Sequence, residues 1–259
     1  NFGIKTNKRS LDITDLVETL RVVEKIKPSV ILHLAAETDM DRCERNPDYA
    51  YSVNSIGTYN MAVAAKKVGA KLVYISTSAV FDGQKKGLYV EKDICDPQNF
   101  YGRSKYLGEI IVQKVLSDFI IARTCWLFGG GEEKAQKFVA KIIKQIKNPE
   151  TKVLSSIGNS CGSPTYGKDL IMAIKDLISS DAKGIFNVVN SGAVSRYDIM
   201  KKISEIMKSD LKINMVSPEQ FDLNAPRTDN EAMKPSLKNM RNWDVALEDY
   251  ITSEWPIKK

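Results

Sequence analysis

The feature that most narrows the fold is an alternation along the chain. Ser29–Ala36 (SVILHLAA), Lys71–Thr77 (KLVYIST), Phe119–Phe128 and Gly184–Asn190 are short apolar runs bounded by turn residues. Segments of helical spacing separate and follow them: Asp15–Ile26, Asp48–Val68, Tyr101–Leu116, Lys134–Lys147, Lys168–Ser179 and Ser195–Met207. Unbroken apolar runs suit strands covered on both faces, and strands alternating with helices predict an α/β fold with a parallel sheet. Pro28 ends the first helix and Gly69 the second. Beyond Met215 the pattern turns short and irregular, with Pro218, Pro226, Pro235 and Pro256. A small C-terminal cap is expected there.

Composition excludes several function classes. Lys and Arg exceed Asp and Glu by 38 to 32, but the bases are scattered among acids. Lys137, Lys141, Lys144 and Lys147 on one helix read as a solvated face, so no nucleic-acid partner is expected. No apolar run is long enough for a membrane helix. Cys43, Cys95, Cys125 and Cys161 form no CxxC pair, and His33 is the single histidine, so no metal site is expected. Unpaired thiols suit a reducing, cytoplasmic setting. A Ser-His-Asp or Cys-His hydrolase would need His33 as base, yet His33 sits in an apolar run and reads as a core or strand-end residue.

The chemistry points to Tyr101-Gly102-Arg103-Ser104-Lys105. Residues four apart share a helix face, and a lysine ammonium beside a phenol lowers the phenol pKa. Lys105 is therefore expected to depress the Tyr101 pKa and make the phenol a usable proton donor. The run Tyr74–Ala79 leaves the end of a buried strand, where ligands of open α/β sheets bind, so the Thr77 hydroxyl is expected in the same crevice. Leu34–Asp39 ends another strand in small residues that let a flat cofactor approach.

With these motifs the chain resembles the extended short-chain dehydrogenase/reductases, and among them the dTDP-4-dehydrorhamnose reductases. The likeness runs through LDITD (Leu11–Asp15), AAETDMDRCE (Ala35–Glu44), VNSIGTYNMA (Val53–Ala62), STSAVFDG (Ser76–Gly83), YGRSK (Tyr101–Lys105), RTCWLFG (Arg123–Gly129) and GSPT (Gly162–Thr165). It implies a Rossmann-like, doubly wound parallel sheet over residues 1–150. Residues 151–259 would be mainly a substrate-binding region, with some segments returning to the main domain. It further implies NADPH or NADH as cofactor and a nucleotide-linked, dTDP-type keto sugar as substrate, with a homodimer left open. Tyr101 would protonate the substrate carbonyl oxygen, Thr77 would hydrogen-bond it, and Lys105 would hold the nicotinamide ribose. Asp12 and Ile13 would lie near the adenine, Ala35, Ala36 and Thr38 would line the cofactor path, and Trp126 would pack against the substrate.

The sequence departs from the family pattern in three places. The glycine-rich GxxGxxG of a first βα unit does not occur; Gly3 stands alone and Gly129–Gly131 follows the wrong strand. That unit is expected upstream of Asn1, and Lys8 and Arg9 read as a solvated turn sooner than as a 2′-phosphate site. The family's Asp-Tyr after Ser-Thr is Ser78-Ala79, and its Asp-Gln before GSPT is Asn159-Ser160-Cys161. The last two bear on sugar specificity more than on hydride chemistry. A sugar-nucleotide 4-epimerase and a non-catalytic homologue, such as a methionine adenosyltransferase regulatory subunit, are the competing readings. A 4,6-dehydratase lacks its acidic pair at Ser78-Ala79.

Overall fold

The computed structural model describes residues 11–158, 160–217, 220 and 223–255. Gly3, Lys8, Arg9, Asn159, Pro218 and Pro256 lie outside them.

Asp15 caps the first helix, α1 (Leu16–Ile26), by accepting from the Glu18 N–H, and a left-handed Lys27 ends it before Pro28. Strand β1 (Val30–His33) is shorter than the apolar run that contains it. Two short helices follow, α2 (Met40–Arg45) and α3 (Pro47–Tyr51). The segment expected as one helix over 48–68 passes through a π-helical turn at Ser52–Ile56 before α4 (Gly57–Val68), which Gly69 closes at φ +70°. Strand β2 (Lys71–Thr77) runs into a 3₁₀ turn at Ser78–Val80, and α5 (Phe100–Val115) leads to β3 (Phe119–Thr124).

The expected strand over 119–128 breaks at Cys125-Trp126, where Trp126 takes a left-handed φ of +41°. It resumes as β4 (Leu127–Phe128). Next come α6 (Gly131–Lys134), α7 (Phe138–Lys147), β5 (Val153–Ile157), β6 (Cys161–Gly162), β7 (Thr165–Tyr166) and α8 (Gly167–Ser179). The described chain ends with β8 (Gly184–Asn187), β9 (Val194–Ser195), α9 (Arg196–Met207), β10 (Lys212–Val216) and α10 (Trp243–Glu254). The last helix falls in the stretch that the sequence pattern reads as irregular.

The main sheet runs β1-β2-β3-β8, all parallel. Leu72, Tyr74 and Ile121 face a core with α1, α4 and α5 residues such as Val23, Ala65 and Val112. Val73, Ile120 and Ala122 face the opposite core with Leu170, Ile174 and Leu177 of α8. Helices therefore cover both faces, which is why these strands are apolar without alternation. A separate core joins Val139 and Ile143 of α7, Leu154 of β5, Ile203 of α9, Tyr250 of α10 and Trp255. Phe128 and Tyr166 stack in it at 5.5 Å. It begins upstream of residue 150, while α8 and β8 return to the main sheet.

Candidate active site

Strands of a parallel sheet end together, and their carboxyl ends form the crevice where such folds bind ligands. Thr77 closes β2 and is buried, with its hydroxyl accepting from the Ala79 N–H at 3.2 Å. Tyr101 enters from the first turn of α5. Asn99 caps that turn by accepting from the Gly102 N–H at 2.9 Å, and its amide donates to the Pro226 carbonyl at 3.0 Å. Gly102 lies directly on the Ala79 carbonyl, so any Cβ there would collide with backbone. This close approach puts the Tyr101 phenol near enough to the Thr77 hydroxyl for Thr77 to act on its pKa.

Lys105 follows one turn later and is 3% exposed. Its ammonium lies 4.1 Å from the centre of the Tyr74 ring and makes no ion pair among the described residues. Burial lowers its pKa to about 7, with the Glu109 charge working the other way. Burial also pushes the Tyr101 phenol up to about 12; the Thr77 hydroxyl opposes this, and the Glu231 charge adds to it. The expectation that Lys105 depresses the Tyr101 pKa is therefore corrected: desolvation dominates both groups, and each is driven toward its neutral form.

A polar layer holds this turn of helix in place. Asn54, on the π-helical turn, donates to the Glu37 carbonyl and to Ser104 Oγ at 3.0 Å each, and accepts from the Glu37 N–H at 2.9 Å. Ser104 Oγ in turn donates to the Tyr101 carbonyl at 2.9 Å. Behind Lys105, fully buried Glu109 pairs with Arg123 through bonds of 3.0 and 2.7 Å and accepts from Ser76 Oγ at 2.5 Å. Neither Asn54 nor Glu109 stood out from the sequence, although the motif VNSIGTYNMA contains Asn54 and the helical spacing Tyr101, Lys105, Glu109 contains the other.

The remaining sequence-selected residues spread along the sheet edge. Ala35 and Thr38 are exposed and Ala36 half-buried beyond β1, and Lys137 Nζ donates to Thr38 Oγ1 at 3.0 Å. Asp12 accepts from the Thr14 N–H and hydroxyl at 2.9 and 2.8 Å. The Ile13 side chain lies in the core against Gly57, and its carbonyl accepts from the Asn60 amide. Any contact of Ile13 with a ligand is thus through backbone. Trp126 lies against Gly162 and under the Arg196 guanidinium, 4.3 Å from the ring centre. Its indole N–H is buried with no partner among the described residues. His33 is a core residue, as expected: it is 3% exposed, with a pKa lowered to about 3 by burial.

All four cysteines are free, and no cluster of metal-ligating side chains occurs among the described residues. No helix among them is long and apolar enough to cross a membrane.

A parallel sheet with helices on both faces, and a threonine, a tyrosine and a lysine gathered beyond its strand ends, defines a protein of the short-chain dehydrogenase/reductase type. The chain belongs to the RmlD substrate binding domain family, whose model matches residues 3–254. It is 33% identical over 253 residues to the spore coat polysaccharide biosynthesis protein SpsK of Bacillus subtilis, covering 96% of this chain and 87% of that one. It is 33% identical over 248 residues to a dTDP-4-dehydrorhamnose reductase of Mycobacterium tuberculosis, covering 91% and 80%. A crystal structure of dTDP-4-dehydrorhamnose reductase from Bacillus anthracis in complex with NADP superposes with a TM-score of 0.91 at 36% identity, covering 96% and 89%.

Proposed function

We propose that this chain reduces the carbonyl of a nucleotide-linked 4-keto-6-deoxy sugar with NADPH or NADH, as a dTDP-4-dehydrorhamnose reductase does. One observation carries the reading: the Tyr101 phenol stands beside the Thr77 hydroxyl, one helical turn from a buried Lys105 ammonium without an ion pair. A buried ammonium without a carboxylate partner suits ribose hydroxyls as its ligands, so the residues present fit a nicotinamide cofactor. Lys105 and Tyr101 would hold its ribose end. Ala35, Ala36 and Thr38 would line its path, and Asp12 with the Ile13 backbone would lie at the adenine. When bound, the cofactor supplies the hydride.

The protein's own groups manage the proton and the charge. Thr77 directs its hydroxyl at the substrate oxygen and stabilises the negative charge that develops there. Tyr101, held protonated by burial, gives its phenolic proton to that oxygen. Lys105 then faces the phenolate one turn away, where its charge offsets the charge just formed. Trp126 packs against the sugar or base. The second core, built on α7, α9 and α10, supports the substrate side of the crevice. Free thiols and the lack of a spanning helix among the described residues are consistent with work in the cytoplasm.

The test is cofactor oxidation on a panel of dTDP-, UDP- and GDP-linked keto sugars. Stoichiometric loss of NADPH or NADH is expected, which a 4-epimerase or a passive binding partner would not give. Tyr101→Phe should lower turnover by about 10²–10⁴, while the cofactor still binds through Lys105, only modestly more weakly by fluorescence titration. Near-normal turnover in the folded variant would refute the role given to Tyr101.

A further inference from the structure

The C-terminal stretch that returns to the crevice brings a carboxylate with it. The Cys161 N–H donates to the Asp229 carbonyl and the Glu231 N–H to the Cys161 carbonyl, both at 2.7 Å. Asn230 donates to the carbonyls of Lys85 and Gly87 at 2.7 Å each, and the Met233 N–H donates to Ser163 Oγ at 3.1 Å. The backbone on both sides of Glu231 is thus pinned. Its side chain is pinned as well, because Ser78 Oγ donates to Oε2 at 2.7 Å.

Ser78 directly follows Thr77, so this carboxylate stands beside the Thr77–Tyr101 pair. Its charge acts on Tyr101, on Cys125 and on Arg196. The Arg196 guanidinium lies 4.3 Å from the Trp126 ring centre and 5.1 Å from that of Phe138, without an ion pair among the described residues. Glu231 Oε1 has no hydrogen-bond partner among the described residues. An anchored carboxylate with one oxygen unbonded, beside the Thr77–Tyr101 pair, is an acceptor for a ligand hydroxyl. Ser78, directly after Thr77, recruits Glu231 from 153 residues further along the chain.

We propose that Glu231 reads the sugar: Oε1 accepts a hydrogen bond from the hydroxyl next to the reacting carbonyl, while Ser78 holds the carboxylate and Arg196 counters its charge. This rests on the keto-sugar reading above. In a 4-keto-6-deoxy sugar only C3 offers such a hydroxyl, since C5 carries the methyl group and the ring oxygen.

Glu231→Gln keeps the shape and the bond from Ser78 but removes the charge. Calorimetric titrations with dTDP, dTDP-rhamnose and its 3-deoxy analogue, alongside thermal unfolding, test the assignment. Wild type should prefer dTDP-rhamnose over the 3-deoxy analogue by about tenfold or more. The variant should lose that preference, bind dTDP unchanged and melt normally. A variant that keeps the preference, or that weakens all three ligands equally, overturns the role of Glu231 and leaves the reductase reading standing if NADPH oxidation persists. Wild type that binds dTDP-rhamnose no better than dTDP overturns both.

Discussion

At the scale of single residues, burial outweighs proximity. Tyr101 and Lys105 sit one turn apart, and Thr77, Tyr101 and Lys105 are legible in the sequence because a four-residue spacing and a strand end are local facts. Their protonation is not legible, because it depends on how much water the folded crevice excludes. Lys105 has a folded pKa of about 7 against an ordinary 10.5. Between those values the unfolded chain binds more protons than the folded one, so stability rises with pH across that window. Relative to Lys105→Met, which cannot titrate, wild type should gain about 1–3 kcal/mol between pH 7 and pH 9. Urea unfolding of both proteins at the two pH values measures this, and a constant difference would contradict a desolvated lysine. His33 follows the same logic. Thr58 gives its hydroxyl proton to the Asn54 carbonyl at 2.7 Å, so the 3.0 Å contact with His33 requires the ring proton on Nε2.

At the scale of elements, the strands and helices of the main sheet follow from periodicity, and the misreadings cluster where backbone geometry departs from it. The run Phe119–Phe128 looks continuous, but Trp126 at φ +41° turns the chain out of the sheet and sets the indole against Gly162 and Arg196. No propensity scale marks a tryptophan for that conformation. The π-helical turn at Ser52–Ile56 preserves the helical pattern while rotating Asn54 onto Glu37 and Ser104. Strand β6 adds a steric condition. A Cβ on Gly162 would stand 2.6 Å from the Trp126 ring, and its backbone is otherwise open to alanine. Gly162→Ala should therefore displace the indole and destabilise the fold by about 1–3 kcal/mol. KM for the nucleotide sugar should rise while cofactor affinity holds. Thermal unfolding and steady-state kinetics check it, and an unmoved KM with an intact fold would remove Trp126 from the substrate site.

At the scale of the whole molecule, the fold holds cores of different origin. The sheet cores come from the regular alternation that the sequence displays, whereas the second core depends on α10, whose weak amphipathic signal follows a proline-studded stretch. Only the packed structure shows that Tyr250 and Trp255 are fully buried. Trp255→Ala should destabilise the protein by about 3–5 kcal/mol, a loss that denaturant unfolding would register. A change under 1 kcal/mol would mean that the second core carries little of the fold. The Arg123–Glu109 pair sits nearer the middle, tying β3 to α5 and, through Ser76, to β2. Charge in such a place is tolerated only in company: an apolar residue replacing either partner strands the other without water or counter-ion. Seen as a path through sequence space, the pair is a ratchet. Each single step away descends into unstable protein, while the joint replacement by two apolar side chains can be neutral, so drift at the surface can proceed around a centre that changes by paired steps or not at all.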